Sequence, residues 1–319
     1  MIICCGEALI DMLPRIIGEE ITCSNKILPN GEKLFLPIPG GAIFNTAVTL
    51  GRLGAKTGFF SGISTDQFGD ILTAALDRSN VDHSHSLRSH HPTTLSVVSL
   101  NDGHASYSFY DEASAGRLIE VEDLPDFDDD VKAYHFGAIS LIPEPCGTAY
   151  ETLMMRVAPK AVISFDPNIR ANFILDTEAH RLRMAHMVKA SDIVKVSDED
   201  IAWMHPNADL NTVIDSWIGQ GVKLVCLTMG KEGVMGYTAN EKVHMPAKLA
   251  TVVDTVGAGD SFNGGLLFSL EQQGLLSKEA LEQLTTEQLT KALDVATQVA
   301  AITVSRAGAN PPWAHEIQI

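Results

Sequence analysis

The chain has 319 residues, 45% of them hydrophobic, enough for a large core built as one α/β domain, with or without a small added one. Forty acids against 23 bases leave a net charge of −17, without the basic footprint of a nucleic-acid binder. No apolar run reaches the ~18–20 residues of a membrane helix, and five scattered cysteines (Cys4, Cys5, Cys23, Cys146, Cys226) form no CxxC pair, which speaks against a disulfide framework or zinc site and for a reducing cytoplasm.

In chain order, "MIICC" reads as a buried strand. The start lacks a basic region and meets Glu7 and Asp11 early, so a signal peptide is not expected. Residues 12–39 carry Pro14, Pro29, Pro37 and Pro39 and show no helical period. "IFNTAVTLGRLG" (43–54) predicts a helix stopped by Gly54, and "KTGFFSGI" (56–63) a strand. His83, His85, His90 and His91 cluster in a loop without metal-ligand spacing. Residues 93–110 alternate and contain Asn101-Asp102-Gly103, a hairpin signal. "DLPDFDDD" (123–130) reads as a solvated acidic loop. Then β-type runs at 161–165, 192–196 and 223–228 interleave with amphipathic segments at 145–158, 178–189 and 209–219. That rhythm predicts a mainly parallel sheet with helices on both faces, a three-layer α/β/α core. The two irregular segments predict a small antiparallel sheet, since a flat little sheet must cover something. It would serve as a lid over an active site, its other face making a dimer contact; the plainer alternative is an edge extension of the main sheet. The expected division is a core of 1–11, 40–91 and 117–319, with 12–39 and 92–116 inserted as the lid.

The stretch "VVDTVGAGDSFNGGLLFSL" (252–270) carries the chemistry. Gly257-Ala258-Gly259 before a helix lets backbone N–H groups approach an anion, aided by the positive end of the helix. Asp260 falls in the first turn, where a carboxylate is also a good cap. A cap requires neither the preceding small residues nor Gly264-Gly265 beneath it, where each glycine costs ~1 kcal/mol of helix propensity; those two suggest close approach of another backbone. The position three after Gly259 is Phe262, which disfavours a dinucleotide fingerprint, and no GxxxxGK[ST] is present. What remains is a site where amides hold phosphoryl charge while a carboxylate deprotonates an attacking hydroxyl.

"DTVGAGDSFNGGLL", together with "GGAIFNTAVTLGRLGAKTGFFSGISTDQFGD" (40–70), resembles the two signatures of the ribokinase-like (PfkB) sugar kinases, and the likeness runs from Gly6 to about Asn310. Within that family "GEALIDMLP", "HFGAISLI", "FDPNIR" and "VKVSDED" look most like fructokinases. The resemblance implies ATP-dependent transfer to a sugar hydroxyl, a β lid, a homodimer through it, and magnesium. It implies that Asp260 is the base and that the amides of Gly257, Ala258 and Gly259 form the anion hole. Asp11, Gly40, Gly41, Asn45 and Arg170 would bind sugar, Asp11 being read at the end of the first strand. Ala42, where ribokinases often show Lys, speaks for a sugar other than ribose. Asn168, Arg170, Ser197, Thr228, Gly230, Gly233, Gly257 and Gly259 would serve the nucleotide. Relatives read Asn-x-x-Glu where this chain has Ser197-Asp198-Glu199-Asp200. Asp200 is the candidate for the water-mediated magnesium position, with Glu199 adjacent. Asp254, with carbonyls of 303–310, would hold potassium. Tyr107, Phe109 and Tyr110 on the lid hairpin would either pack or cover the sugar.

Rivals remain at this level. A 2-keto-3-deoxygluconate kinase would need a cation for the substrate carboxylate, and Asp111-Glu112 stand where sugar-acid kinases often show Arg. A nucleoside kinase is a further alternative, and a non-catalytic sugar or nucleotide sensor is opposed by the intact Asp260 and its glycines.

Overall fold

The computed structural model describes residues 1–16, 21–23, 26–28, 33–101 and 104–318. Pro29 and the Asp102-Gly103 turn lie outside them. A nine-stranded sheet forms the centre, in the spatial order Lys242–Met245, Val234–Tyr237, Leu224–Thr228, Ile193–Ser197, Val162–Asp166, Ala133–Gly137, Ile2–Cys5, Thr57–Phe60, Val81–Asp82. The pairings from Leu224–Thr228 to Val81–Asp82 are parallel; Val234–Tyr237 runs antiparallel to both of its neighbours.

The strands are apolar on both faces because helices cover both. Side chains alternate between two cores, as the two-residue strand period requires. Ile2, Cys4, Val162, Ile193 and Leu224 enter the core that holds Phe44, Leu50, Leu266 and Leu293. Ile3, Cys5, Ile163, Val194 and Val225 enter the other, with Tyr150, Leu153, Met187 and Trp217. The helices Ala42–Leu53, Ala258–Gln272 and Thr286–Val304 lie on the first face, and Cys146–Val157, Thr177–Lys189 and Leu210–Gly219 on the second. Gly264 and Gly265 explain the tight seating of the first group. A side-chain carbon on Gly264 would sit 2.6 Å from Thr49, and one on Gly265 2.9 Å from the Ala296 backbone.

The two irregular segments do form their own sheet, not an extension of the main one. Its order is His104–Tyr110, Thr94–Asn101, Leu9–Ile16, Lys33–Gly40. Two antiparallel pairs are joined by a parallel pairing of Thr94–Val97 with Leu9–Met12, a juncture that hairpin reasoning does not reach. Two expectations are corrected here. Asp11 does not end the first core strand: Gly6, Glu7 and Ala8 interrupt the run, and Asp11 sits inside the small sheet, opposite Ile38 and Ser96. The single strand expected at 56–63 divides, because Gly62–Ser64 turns aside to pair with Leu87–Ser89.

Candidate active site

Strand carboxyl ends of a parallel sheet converge on one rim, where open α/β folds bind ligands. There a cavity of about 360 Å³ is lined by Asp11 and Phe109 from the small sheet, and by Asn45, Asn168, Arg170 and residues 255–260 from the core. Gly41 also lines it, and Gly40 backs it: a side chain on Gly40 would collide with the Asp11 carboxylate. The structure therefore brings Asp11, Gly41, Asn45, Asn168, Arg170, Gly257, Ala258, Gly259 and Asp260 around one space.

Asp260 is the best-determined member. Asn45 Nδ2 donates to Asp260 Oδ2 at 2.8 Å, and Thr46 Oγ1 donates to the Asp260 carbonyl at 3.1 Å. Both donors lie on Ala42–Leu53, which packs along the Asp260 helix, so helix packing aims the carboxylate. Burial pushes Asp260 up to about 6. The Asn45 hydrogen bond opposes that rise, Asp166 adds to it, and Lys195 and Arg170 oppose it. No side-chain hydrogen bond caps the helix Ala258–Gln272. The cap reading of Asp260 finds no support in its hydrogen bonds.

The small residues of the turn have causes that the sequence alone does not show. Gly257 is left-handed (φ 77°), and a side-chain carbon there would lie 2.6 Å from Ala309. At Gly259 such a carbon would lie 3.0 Å from Lys195 Nζ. Gly259 is thus small on its protein side, where a buried ammonium lies directly beneath the turn. Lys195 pairs with Asp166 Oδ2 at 3.0 Å, both side chains being 7% exposed or less, and Asn263 Nδ2 donates to the same oxygen at 2.7 Å. Burial alone would pull the lysine down, but Asp166 first, then Asp200 and Asp260, hold it above its ordinary value. His135 completes the polar floor through Ser164 Oγ at 3.0 Å; burial and Lys195 push it down to about 3, so it is a neutral imidazole.

Other candidates are distributed as follows. Arg170 is exposed and bends onto the carbonyls of Asn168 and Ile169; among the described residues it has no carboxylate partner. Asn168 is left-handed at φ 41°, which helps turn the loop over the rim. Ser197, Thr228, Gly230 and Gly233 lie at the ends of the next strands, outside the cavity lining. Ser197 Oγ accepts from Asp200 N at 3.0 Å, and Thr228 Oγ1 donates to the Val196 carbonyl at 3.3 Å. Gly230 (φ 54°) and Gly233 (φ 95°) shape a turn that closes under Pro246-Ala247. Asp200 accepts from Ile169 N at 2.9 Å and Ser197 N at 3.3 Å, so its carboxylate is engaged by backbone. Asp254 accepts from Val256 N at 3.0 Å and Gly308 N at 2.9 Å, tying the loop after the helix Thr286–Val304 to the segment that leads into the Gly257–Gly259 turn. Among the described residues no three His, Cys, Asp or Glu groups are placed to hold a metal, the loop histidines included.

Sequence reasoning passed over three site residues. Lys195 was legible as a lone charge in the apolar strand "DIVKV", a position that requires a buried partner. Asn263 carried no such signal. Glu7 lines the cavity, accepts from Ala42 N at 2.7 Å and Ile43 N at 3.4 Å, and is pushed up to about 7, mainly by burial. It follows the first strand directly, but only the fold shows that it seats the helix bearing Asn45.

The pfkB family carbohydrate kinase model matches residues 32–316. A fructokinase of Rhizobium leguminosarum bv. trifolii is 51% identical over 289 residues, covering 91% of this chain and 85% of its own. A crystal structure of fructokinase with bound ATP from Xylella fastidiosa superposes with a TM-score of 0.87 at 30% identity, covering 97% of this chain and 93% of that one. A Vibrio cholerae O395 fructokinase crystallised with fructose, ADP and calcium ion gives 0.80 at 26%, covering 97% and 94%. No helix among the described residues is long and apolar enough to cross a membrane. With both signatures in place and their residues gathered at one rim, the chain belongs to the pfkB family of ATP-dependent carbohydrate kinases.

Proposed function

We propose that the chain phosphorylates D-fructose at its 6-hydroxyl, with Asp260 as general base. The carrying observation is the Asp260 carboxylate, fixed by Asn45 beside the Gly257–Gly259 turn, in one cavity with Asp11 and Arg170. A base near 6 is ionised at neutral pH yet still accepts a proton as the hydroxyl attacks. The amides of the turn stabilise charge on the transferring phosphoryl group, and Lys195 beneath Gly259 adds a fixed positive charge to the floor. Arg170, uncommitted to any carboxylate among the described residues, closes on the phosphates.

Asp11 and Asn45 offer acceptors and donors suited to a polyol. Among the described residues no cation other than Arg170 lines the cavity, which favours a neutral sugar over a keto acid. The names of the relatives favour the same sugar. ATP would lie along Ser197, Thr228, Gly230 and Gly233, magnesium arriving with its phosphates to neutralise the transferred charge. With Asp200 held by backbone amides, Glu199 and Asp200 would act on that ion only through water. Asp254 beside Gly308 is the place where potassium would couple to the anion turn. We place the enzyme in the cytoplasm as a homodimer through the small sheet, whose consecutive residues Leu34, Phe35 and Leu36 are exposed at 37%, 42% and 45%.

A coupled ADP-release assay over fructose, ribose, ketodeoxygluconate, adenosine and mannose tests this. Fructose should give the highest kcat/KM; a tenfold win by another acceptor, ~1.4 kcal/mol of transition-state preference, would overturn the choice of sugar.

A further inference from the structure

We propose that the edge-to-face contact of Phe109 with Phe173 is the specificity gate of the acceptor site, closing it against sugars that carry an apolar substituent at the end remote from the reacting hydroxyl. This rests on the kinase reading above. The two rings meet at 4.6 Å between centroids and 86° between planes. Phe109 comes from the small-sheet strand His104–Tyr110, and Phe173 from the core turn Ala171–Phe173. A contact between lid and core is therefore made only while the two lie together.

Behind that pair lies a second cavity, of about 650 Å³, larger than the sugar cavity. Glu7, Phe109, Ile139 and Phe173 border both spaces. Residues 255–260, with the base and the anion turn, border only the smaller one. The partition is thus on a wall other than the reactive one. In a fructofuranose whose 6-hydroxyl faces Asp260, the anomeric carbon and its C1 arm lie across the ring, at the far end.

The chemistry of the second cavity sets the class of substituent. Its two arginines are already matched: Arg117 with Asp111 at 3.4 Å, Arg183 with Glu144 at 2.5 Å and Glu151 at 3.0 Å. Among the described residues no cation of this lining is left over for an acidic group, so a sugar acid or sugar phosphate gains nothing there. His180 is buried against Trp203 and pushed down to about 4 by burial, a neutral ring. Ile142, Pro143, Ile174 and Leu175 supply much of the remaining wall. The space fits an aryl or alkyl aglycone, and the phenylalanine pair keeps it out of reach. The two rings form part of the boundary that the two spaces share with Glu7 and Ile139, and removing either ring widens the opening between them.

The test compares D-fructose, methyl β-D-fructofuranoside and benzyl β-D-fructofuranoside on the wild type, Phe173→Ala and Phe109→Ala. Affinity is read by calorimetry and turnover by ADP release. The expected result is that each alanine variant binds the benzyl fructoside about tenfold or more tighter than the wild type does, the range in which filling an apolar pocket discriminates. Turnover of the benzyl fructoside should rise with it, while the methyl fructoside, which does not need the second cavity, changes less. An unchanged benzyl affinity in alanine variants that melt like the wild type overturns the gate. So does a wild type that already binds the benzyl and methyl fructosides equally. Should the alanine variants fail to fold, Phe173→Leu must still shift the benzyl-to-methyl affinity ratio at least about threefold in the same direction, or the gate is wrong. Failure of the kinase reading is seen separately, as no ADP from any free sugar with the wild type.

Discussion

The two walls of the cavity around Asp260 are built on opposite principles. The wall at 255–260 is fixed from behind. Gly257 is pressed on Ala309, Gly259 on Lys195, and Asp260 is held by Asn45 and Thr46 from a neighbouring helix. The facing wall is a four-stranded sheet joined to the core through the chain at Leu9, Gly40, Thr94 and Tyr110, with Leu34, Phe35 and Leu36 of one strand exposed. The difference suits the proposed division of work: a base and an anion hole lose their value if they move, whereas an acceptor must enter and leave past something that does.

The largest expected effect separates chemistry from structure at the fixed wall. Asp260→Asn should cut kcat by ~10²–10⁴, the usual contribution of a general base. The same change should leave the melting temperature at pH 8 unchanged or higher. The sign follows from the raised carboxyl: with its folded value near 6 against an ordinary 3.8, ionisation destabilises the fold as pH rises through 6, and an amide has no such penalty. Normal turnover in a normally melting variant would make both walls structural.

Next in size is the floor beneath the turn. Lys195→Met leaves Asp166 buried without its cation, a loss of about 3–5 kcal/mol in urea or thermal unfolding. Adding Asp166→Asn should recover most of it. If Lys195→Met alone melts like the wild type, the floor is not under electrostatic load. Gly259→Val tests the same place from above. Its branched side chain would meet the ammonium, so stability and ATP affinity should fall together, where a purely ligand-facing glycine would lose affinity alone.

The smallest effect belongs to the small-sheet side of the comparison. Amide hydrogen exchange in 94–101 and 108–110 should slow when fructose is bound, while the amides of 261–270 stay protected throughout. Equal exchange in the small sheet with and without saturating sugar would mean that it does not close.

The contrast also explains which parts were legible in sequence. The core strands at 161–165, 192–196 and 223–228 announce themselves by short, largely apolar runs, because helices cover both faces. Gly54 announces the helix end, and it is left-handed at φ 92°. The turn at Gly257–Gly259 was legible because its backbone requirement is local. Asp11 was misplaced because "GEALID" reads as one apolar strand, and only pairing with Ile38 and Ser96 reassigns it. The engagement of Asp200 depends on Ile169, which no local pattern connects to it. Phe109 was legible as a lid residue with two alternatives; its partner Phe173 was not, since contacts across a sheet and a distant turn leave no periodic trace.

The most direct test of the account is log kcat against pH for fructose between pH 5 and 8, in the wild type and in Asp260→Asn. The wild type should lose about tenfold per unit below about 6, as the base takes up its proton. The variant should run flat at its low rate over that range. A wild-type profile without an acid limb, or a limb that persists in Asp260→Asn and so belongs to a group such as Glu7 near 7, would contradict the assignment of Asp260 as the base.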